Sequence, residues 1–252
     1  MLHCGFSYNV EMETPIHIGT AGWSIPKQHA AAFPAEGSHL ERYAARFSAV
    51  EINSSFYRPH RPATYARWAA SVPSHFRFAV KAPREITHER RLADAAEPLE
   101  RFLSEVAALG DCFGPLLVQL PPSLRFDEQV GHAFFNALRH RFAGEVVCEP
   151  RHASWFADAA DDVLRTFRVG RVAADPAPVP AAARPGGWPG IVYVRLHGSP
   201  KMYYSPYSSE QLDSTADLLR EAAAEGRQAW CIFDNTALGE AIGNALDLVD
   251  RL

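Results

Sequence analysis

The chain is expected to fold as an α/β protein, a single TIM-type (β/α)8 barrel, and three observations carry that expectation. Eight short apolar runs, rich in Val, Ile, Leu, Phe and Ala, alternate with segments of helical length, the pattern of buried parallel strands joined by crossover helices. Seven of them finish in a polar residue: Glu51, Lys81, Gln119, Glu149, Asp175, His197 and Asp234. In parallel folds ligands bind beyond the carboxyl ends of the strands, where these residues fall. The length, 252 residues of which 47% are hydrophobic, suits one barrel domain over 1–252 with residues 1–15 as an N-terminal extension. The competing architecture is an open doubly wound sheet, but no GxGxxG or GxxxxGK[ST] signature is present.

The elements follow in order. IHIGT (16–20) is the first strand, leading through Gly22 to Trp23. Leu40, Tyr43, Ala44 and Phe47 keep helical spacing in LERYAARF. AVEINSS is the second strand, and the two prolines of FYRPHRP forbid regular structure after it. Thr64 is placed to cap the helix TYARWAASV, which stops before Pro73. FRFAVKAP is the third strand, followed by a helix from about Pro98 to Leu109. PLLVQLPP is the fourth strand, ended by Pro121 and Pro122; a helix begins near Asp127, EVVCEP is the fifth strand, and ADDVLRTF a helix. RVAAD is the sixth strand. Its crossover, PAPVPAAARPGGWPG, is too rich in proline for a helix and reads as a loop. IVYVRLHG is the seventh strand; a helix over SEQLDSTADLLREAAAEG ends at Gly226. AWCIFDNT is the eighth strand, and EAIGNALDLVDRL the last helix.

A formal net charge of -4 argues against nonspecific coating of nucleic acid or an anionic membrane, which needs a net positive field. Cys4, Cys112, Cys148 and Cys231 have no CxxC spacing, so a zinc ribbon or redox motif is not expected. The first fifteen residues have neither a basic start nor an apolar core, and no run reaches the roughly 18 apolar residues of a membrane span. The expectation is a cytoplasmic, soluble protein without a membrane or protein partner.

Strand side chains alternate with period two. Glu51 and Asn53 therefore share one face, as do Tyr193, Arg195 and His197, and Lys81, Gln119, Glu149 and Asp175 fit as the last inward residues of their strands. Parity leaves Asp234 and Asn235 undecided. Acids and bases converging at one end of a barrel must pair with each other, bind a ligand or do both, because an unpaired buried charge costs several kcal/mol. The bland outcome is an ion-pair network closing the core. The loops favour a ligand: Tyr57, Arg58, His60 and Arg61 follow strand two, Arg84, His88, Arg90 and Arg91 strand three, Arg151, His152 and Trp155 strand five, and Lys201, Tyr203, Tyr204 and Tyr207 strand seven. Cations and aromatics on one rim suit an anionic ligand with flat rings, although half of these arginines could simply be solvated. Glu51, Glu149, Asp175 and His197 could make a hard-cation set, but Lys81 and Arg195 compete with a cation and no HxH or HExxH is present, so no metal ligand is assigned. There is no GxSxG, and Cys148 and Cys231 lack a partnering histidine. Glu149 with His152, or Glu51 with Lys81, are the pairs for acid–base work.

The stretches GTAGWS, FSAVEINSSFYRPH, FRFAVKAPREITH, GPLLVQLPPS, CEPRHASW, VYVRLHGS and IFDNT, in this order, resemble the YecE-like family, also called domain of unknown function 72, from about residue 16 to 250. The resemblance implies a TIM-type barrel and no particular reaction or cofactor. Carried over by motif, it points to Trp23, Glu51, Asn53, Tyr57, Lys81, Thr87, His88, Gln119, Glu149, Arg151, His152, Trp155, Arg195, His197 and Asn235. Pro150 and Asp234 depart from the family pattern. The leading expectation is an enzyme hydrolysing a phosphate ester of a phosphorylated or nucleic-acid-like substrate. Glu51, Lys81, Glu149 and His197 would be catalytic; Arg84, Arg151 and Arg195 would hold the anion; Trp23, Asn53, Tyr57, His88, Gln119, His152, Trp155, Asp175 and Asn235 would line the site. The alternatives are a noncatalytic module for single-stranded nucleic acid or a nucleotide-like metabolite, and carbohydrate isomerase or lyase chemistry with Trp23 and Trp155 as sugar platforms.

Overall fold

Strands and helices alternate along residues 14–252, which the computed structural model describes; Cys4 and most of the expected N-terminal extension lie outside the described residues. The strands are β1 (Ile16–Thr20), β2 (Ala49–Ile52), β3 (Arg77–Lys81), β4 (Phe113–Gln119), β5 (Val146–Glu149), β6 (Val169–Arg171), β7 (Ala173–Asp175), β8 (Gly186–Gly187), β9 (Ile191–Leu196) and β10 (Gln228–Phe233). They form two sheets, ordered β1-β10-β9-β7 and β2-β3-β4-β5-β6-β8. All pairings are parallel except that of β8 with β6.

The sixth strand expected from RVAAD is divided at Val172. Its first half, β6, pairs with β5, and its second half, β7, pairs with β9, so one run of chain serves both sheets. On the other side, β1 and β2 share only the bridge Ala21↔Glu51. Side chains complete that seam: Tyr43 Oη accepts from Thr20 N at 2.8 Å and donates to Ala49 O at 3.1 Å, and Ser48 Oγ accepts from Ile18 N at 3.1 Å. Gly19 is needed here, since a Cβ would lie 2.1 Å from Ala49 O. Ala49, Ala79, Leu117, Val147, Val172, Tyr193 and Trp230, drawn from both sheets, pack into one inner cluster. A larger core lies between the sheets and the helices.

The helices are α1 (His39–Ala44), α2 (Ser54–Tyr57), α3 (Pro62–Ala70), α4 (Ala96–Val106), α5 (Glu128–Arg139), α6 (Asp158–Thr166), α7 (Ser209–Ala224) and α8 (Glu240–Val249). Ser38 with Glu41 and Ser208 with Gln211 form capping boxes, and Asp127 accepts from Val130 N at 3.0 Å to start α5. Two expectations are corrected. FYRPHRP is not wholly irregular, because α2 completes a turn before Pro59. Helix α3 begins at Pro62, not at a Thr64 cap, because proline suits a first helical position whose N–H needs no partner.

The sixth crossover has no α-helix, as its prolines predict, only a 3-10 turn at Pro180–Ala183 and β8. A cavity of about 280 Å³ is left between β7, β9 and α7. Among the described residues no helix is long and apolar enough to cross a membrane. Cys148 and Cys231 are buried in β5 and β10 as free thiols.

Candidate functional site

Arg195 is the centre of the polar end of the inner face. It is completely buried, and only carboxylates at excellent geometry make that tolerable. Its Nε and Nη2 donate to Glu51 Oε2 and Oε1 at 3.0 and 2.6 Å, its Nη1 donates to Glu149 Oε2 at 2.6 Å, and Nη2 also reaches Asp234 Oδ2 at 3.1 Å. Tyr193 Oη donates to Glu51 Oε2 at 2.9 Å. Parity is the reason these groups meet: Tyr193, Arg195 and His197 project inward from β9 and its end, opposite Glu51 from β2 and Glu149 from β5.

His197 sits beside this fork. Its Nδ1 is 3.0 Å from Asp234 Oδ2, while its Nε2 is 2.9 Å from Glu149 Oε1 and 2.7 Å from Arg151 Nη2. Arg151 Nη2 also pairs with Glu149 Oε1. Nε2 therefore has an acceptor ready when it carries a proton and a donor ready when it does not. The ring of Tyr203, at a left-handed φ of 70°, stands edge-on over His197 with centroids 6.0 Å apart.

The charges tune one another. Burial alone would raise Glu149, but Arg195, His197 and Arg151 hold it well below the usual carboxylate range. Asp234 is lowered in the same way, with burial outweighed by Arg195 and His197. Burial, then Arg195, lowers Lys81, against the pull of Glu51, Glu149 and Asp234. Burial, then the Glu51 charge, raises Tyr193, which stays a neutral donor.

Lys81 shares the inner face, in register with Leu117. Its Nζ lies 4.2 Å from the Phe56 ring centroid and makes no ion pair with a described carboxylate. Gln119 is in register with Glu149 and half-buried on the same face. Asn53 Oδ1 and Arg151 Nε are buried without a hydrogen-bond partner. His88 stands edge-on to Phe56 at 4.9 Å, and its Nδ1 lies 2.8 Å from Thr87 Oγ1. Tyr57 is 75% exposed on the rim, and Trp23 packs edge-on against Trp68 at 5.0 Å.

Other expected site residues lie elsewhere. Asp175 faces outward: it is in register with Leu196, not Arg195, and accepts from Tyr207 Oη at 2.8 Å. Trp155 is buried and donates to Leu124 O at 3.0 Å, which removes it as a platform for a ligand. His152 accepts from Ser154 N at 3.1 Å and caps the turn Ala153–Phe156, away from Glu149's acid–base partners. Asn235 is buried and donates to Ser205 O and Asn244 Oδ1, both at 3.0 Å, holding loops together. Arg84 pairs with Glu89 at 3.0 Å on the surface. Arg195 has its donors taken by carboxylates and is not available to hold an anion. The possible cation set does not converge, since Asp175 lies on the other face. No group of three or more His, Cys, Asp or Glu among the described residues is arranged to hold a metal.

Of the residues brought to the candidate site, Phe56 carries no sequence signal, while the sequence offers Tyr203 only as a rim aromatic and Asp234 only as an alternative to Asn235. Asp234 was within reach of parity: Trp230 and Ile232 face inward, so the next inward residue is Asp234 and not Asn235.

A family model described as Protein of unknown function DUF72 matches residues 17–252. UPF0759 protein YecE of Escherichia coli K12 is 31% identical over 174 residues, 66% of this chain and 61% of YecE, so the match spans less than two thirds of that relative. UPF0759 protein YunF of Bacillus subtilis is 24% identical over 273 residues, 94% of each chain. DUF72 proteins of known structure from Enterococcus faecalis and Thermotoga maritima superpose with TM-scores of 0.79 and 0.77 at 22% and 24% identity, covering 94% and 93% of this chain and 95% and 98% of theirs. A sugar phosphate isomerase/epimerase from Parabacteroides distasonis shares the fold at a TM-score of 0.55 and 11% identity, over 97% of this chain and 95% of its own. At these identities the structures speak for the fold alone. With a family model covering nearly the whole described chain and the same fold in two of the family's solved members, this protein belongs to the DUF72 family.

Proposed function

We propose that the two sheets act as one (β/α)8 barrel whose mouth binds an anionic substrate, phosphorylated or nucleic-acid-like, and that the chain is an enzyme cleaving a phosphate ester there by proton transfer. The observation that carries this is the unequal pairing of charge. Glu51, Glu149 and Asp234 are consumed by Arg195, Arg151 and His197, whereas Lys81 and the Nε of Arg151 are left as donors without acceptors. Donors of this kind sit where a ligand supplies the missing acceptor. Arg58 and Arg61 on the rim add positive charge for steering. Arg195 then orients Glu51 and Glu149 and is not itself an anion holder.

In this reading His197 Nε2 gives or takes the proton that the leaving or attacking oxygen needs, while Glu149 stays ionised and orients the ring at Nε2 and Asp234 fixes it through Nδ1. Tyr203 moves off His197 to admit substrate. The test is turnover of a panel of phosphate monoesters, diesters and single-stranded oligonucleotides by the wild type, His197→Gln and Glu149→Gln. Loss of about 100-fold or more in kcat is expected from either substitution, the usual size of a proton-transfer contribution. Unchanged turnover by both variants would refute the assignment.

The exposed rings of Tyr57, Tyr203 and Tyr204 favour one second reading, a noncatalytic module for single-stranded nucleic acid. It is distinguished by oligonucleotide binding that falls steeply with salt and survives Glu149→Gln, with no turnover of any ester.

A further inference from the structure

The sequence contains three lysines, Lys27, Lys81 and Lys201, among 25 basic residues. Lys27 and Lys201 are exposed, and Lys81 alone stands on the inner face of a strand. Arginine is the better residue for a permanent buried charge, because it keeps its proton and fits carboxylates with a fork; this chain uses it at Arg195 and Arg151 for that purpose. A lysine differs in one chemical respect. Once deprotonated, its nitrogen is a nucleophile.

We infer that Lys81 is a covalent catalytic residue: its Nζ attacks the carbonyl carbon of an anionic aldehyde or ketone and forms an imine in the mouth. Geometry is the basis. Nζ makes no ion pair with a described carboxylate, lies over the electron-rich face of the Phe56 ring at 4.2 Å, and shares the inner face with Glu149 and the His197 at the end of β9. Burial and then Arg195 lower Lys81 against the opposing pull of Glu51, Glu149 and Asp234; burial and a neighbouring cation are the influences that activate imine-forming lysines in general. In the first step the nitrogen lone pair makes the C–N bond. The two N–H protons then leave with the carbonyl oxygen as water, carried by His197, and a C=N bond remains.

This inference rests on the reading of the mouth as an anion site and names the substrate class, a carbonyl compound bearing a phosphate. It also gives the ester cleavage a route. With the phosphate on the carbon β to the carbonyl, a base takes the α-proton, the C–H pair forms a C=C bond, and the C–O bond breaks to release phosphate. Water then returns the amine.

The test is reductive trapping of the full chain with borohydride, using glyceraldehyde 3-phosphate and neutral glyceraldehyde as probes, read by intact mass and peptide mapping. The expected result is a single adduct at Lys81, at least ten-fold above Lys27 and Lys201, and absent from Lys81→Arg, whose fold is checked by circular dichroism. An adduct at Lys81 from both probes equally upholds the covalent role while removing the preference for an anion. Labelling spread over the three lysines by exposure overturns the inference, as does an unlabelled Lys81 in a protein whose His197→Gln variant loses ester turnover; that last outcome leaves the proposed function standing.

Discussion

Arg195 pairs with Glu51, Glu149 and Asp234, so its removal does more than delete hydrogen bonds: it strips the buried Glu51 of its only cationic partner among the described residues, while Glu149 keeps Arg151 and His197 and Asp234 keeps His197. Breaking one partner of a buried ion pair costs about 3–5 kcal/mol. Arg195→Met is therefore expected to lower urea stability by about that amount at pH 7, and a loss under about 1 kcal/mol would show that water enters the cluster freely. A second residue works through pH. His17, buried against Trp230 with ring centroids 4.3 Å apart, is lowered to about 4 by burial and then by Arg77, against an ordinary value of 6.5. As pH falls from 6.5 the unfolded chain takes up this proton first, so stability declines until about pH 4 and is independent of His17 above 6.5. The difference corresponds to about 3 kcal/mol. His17→Gln should flatten this part of the stability profile, measured by denaturant midpoints between about pH 4 and 7. Parity in sequence was enough to bring Glu51, Arg195 and His197 together because their neighbours are large and apolar. It failed at Asp175, which follows Ala173 and Ala174, two small residues that give no contrast between faces.

Among the elements, the seam between β1 and β2 is held by side-chain hydroxyls in place of a full backbone ladder. Tyr43→Phe removes a partner of both Thr20 N and Ala49 O and should cost about 1–3 kcal/mol, the penalty of buried groups left unpaired. Hydrogen exchange at the Thr20 amide should accelerate in the same variant; protection equal to wild type would mean that backbone pairing alone closes the seam. Gly19→Ala is expected to be worse, since its Cβ would collide with Ala49 O. The strands and most helices were legible because their apolar periods are long and their end signals local, as at Asp127 and Gly226. The seam was not, because it depends on Tyr43 of α1 reaching back to Thr20 across 23 residues of chain, a contact that no local pattern encodes. The division of RVAAD at Val172 was hidden for a related reason, since pairing partners are chosen by tertiary packing.

For the whole molecule, the strand that passes from one sheet to the other at Val172 ties the two sheets together. Unfolding should then be a single transition, with far-UV circular dichroism and tryptophan fluorescence coinciding in denaturant. Trp230 lies in one sheet and Trp155 follows β5 of the other, so separate midpoints would reveal independent sheets. The prolines of the sixth crossover announced a missing helix, and a cavity lies beside α7 between β7 and β9. That gap has a use for protein engineering. An exposed loop tip is a place where new termini or an inserted reporter domain can be accepted, and Ala183–Arg184, exposed where the 3-10 turn ends before β8, offers such a place. A circular permutant opened there would keep Glu51, Glu149 and Arg195 on uninterrupted strands.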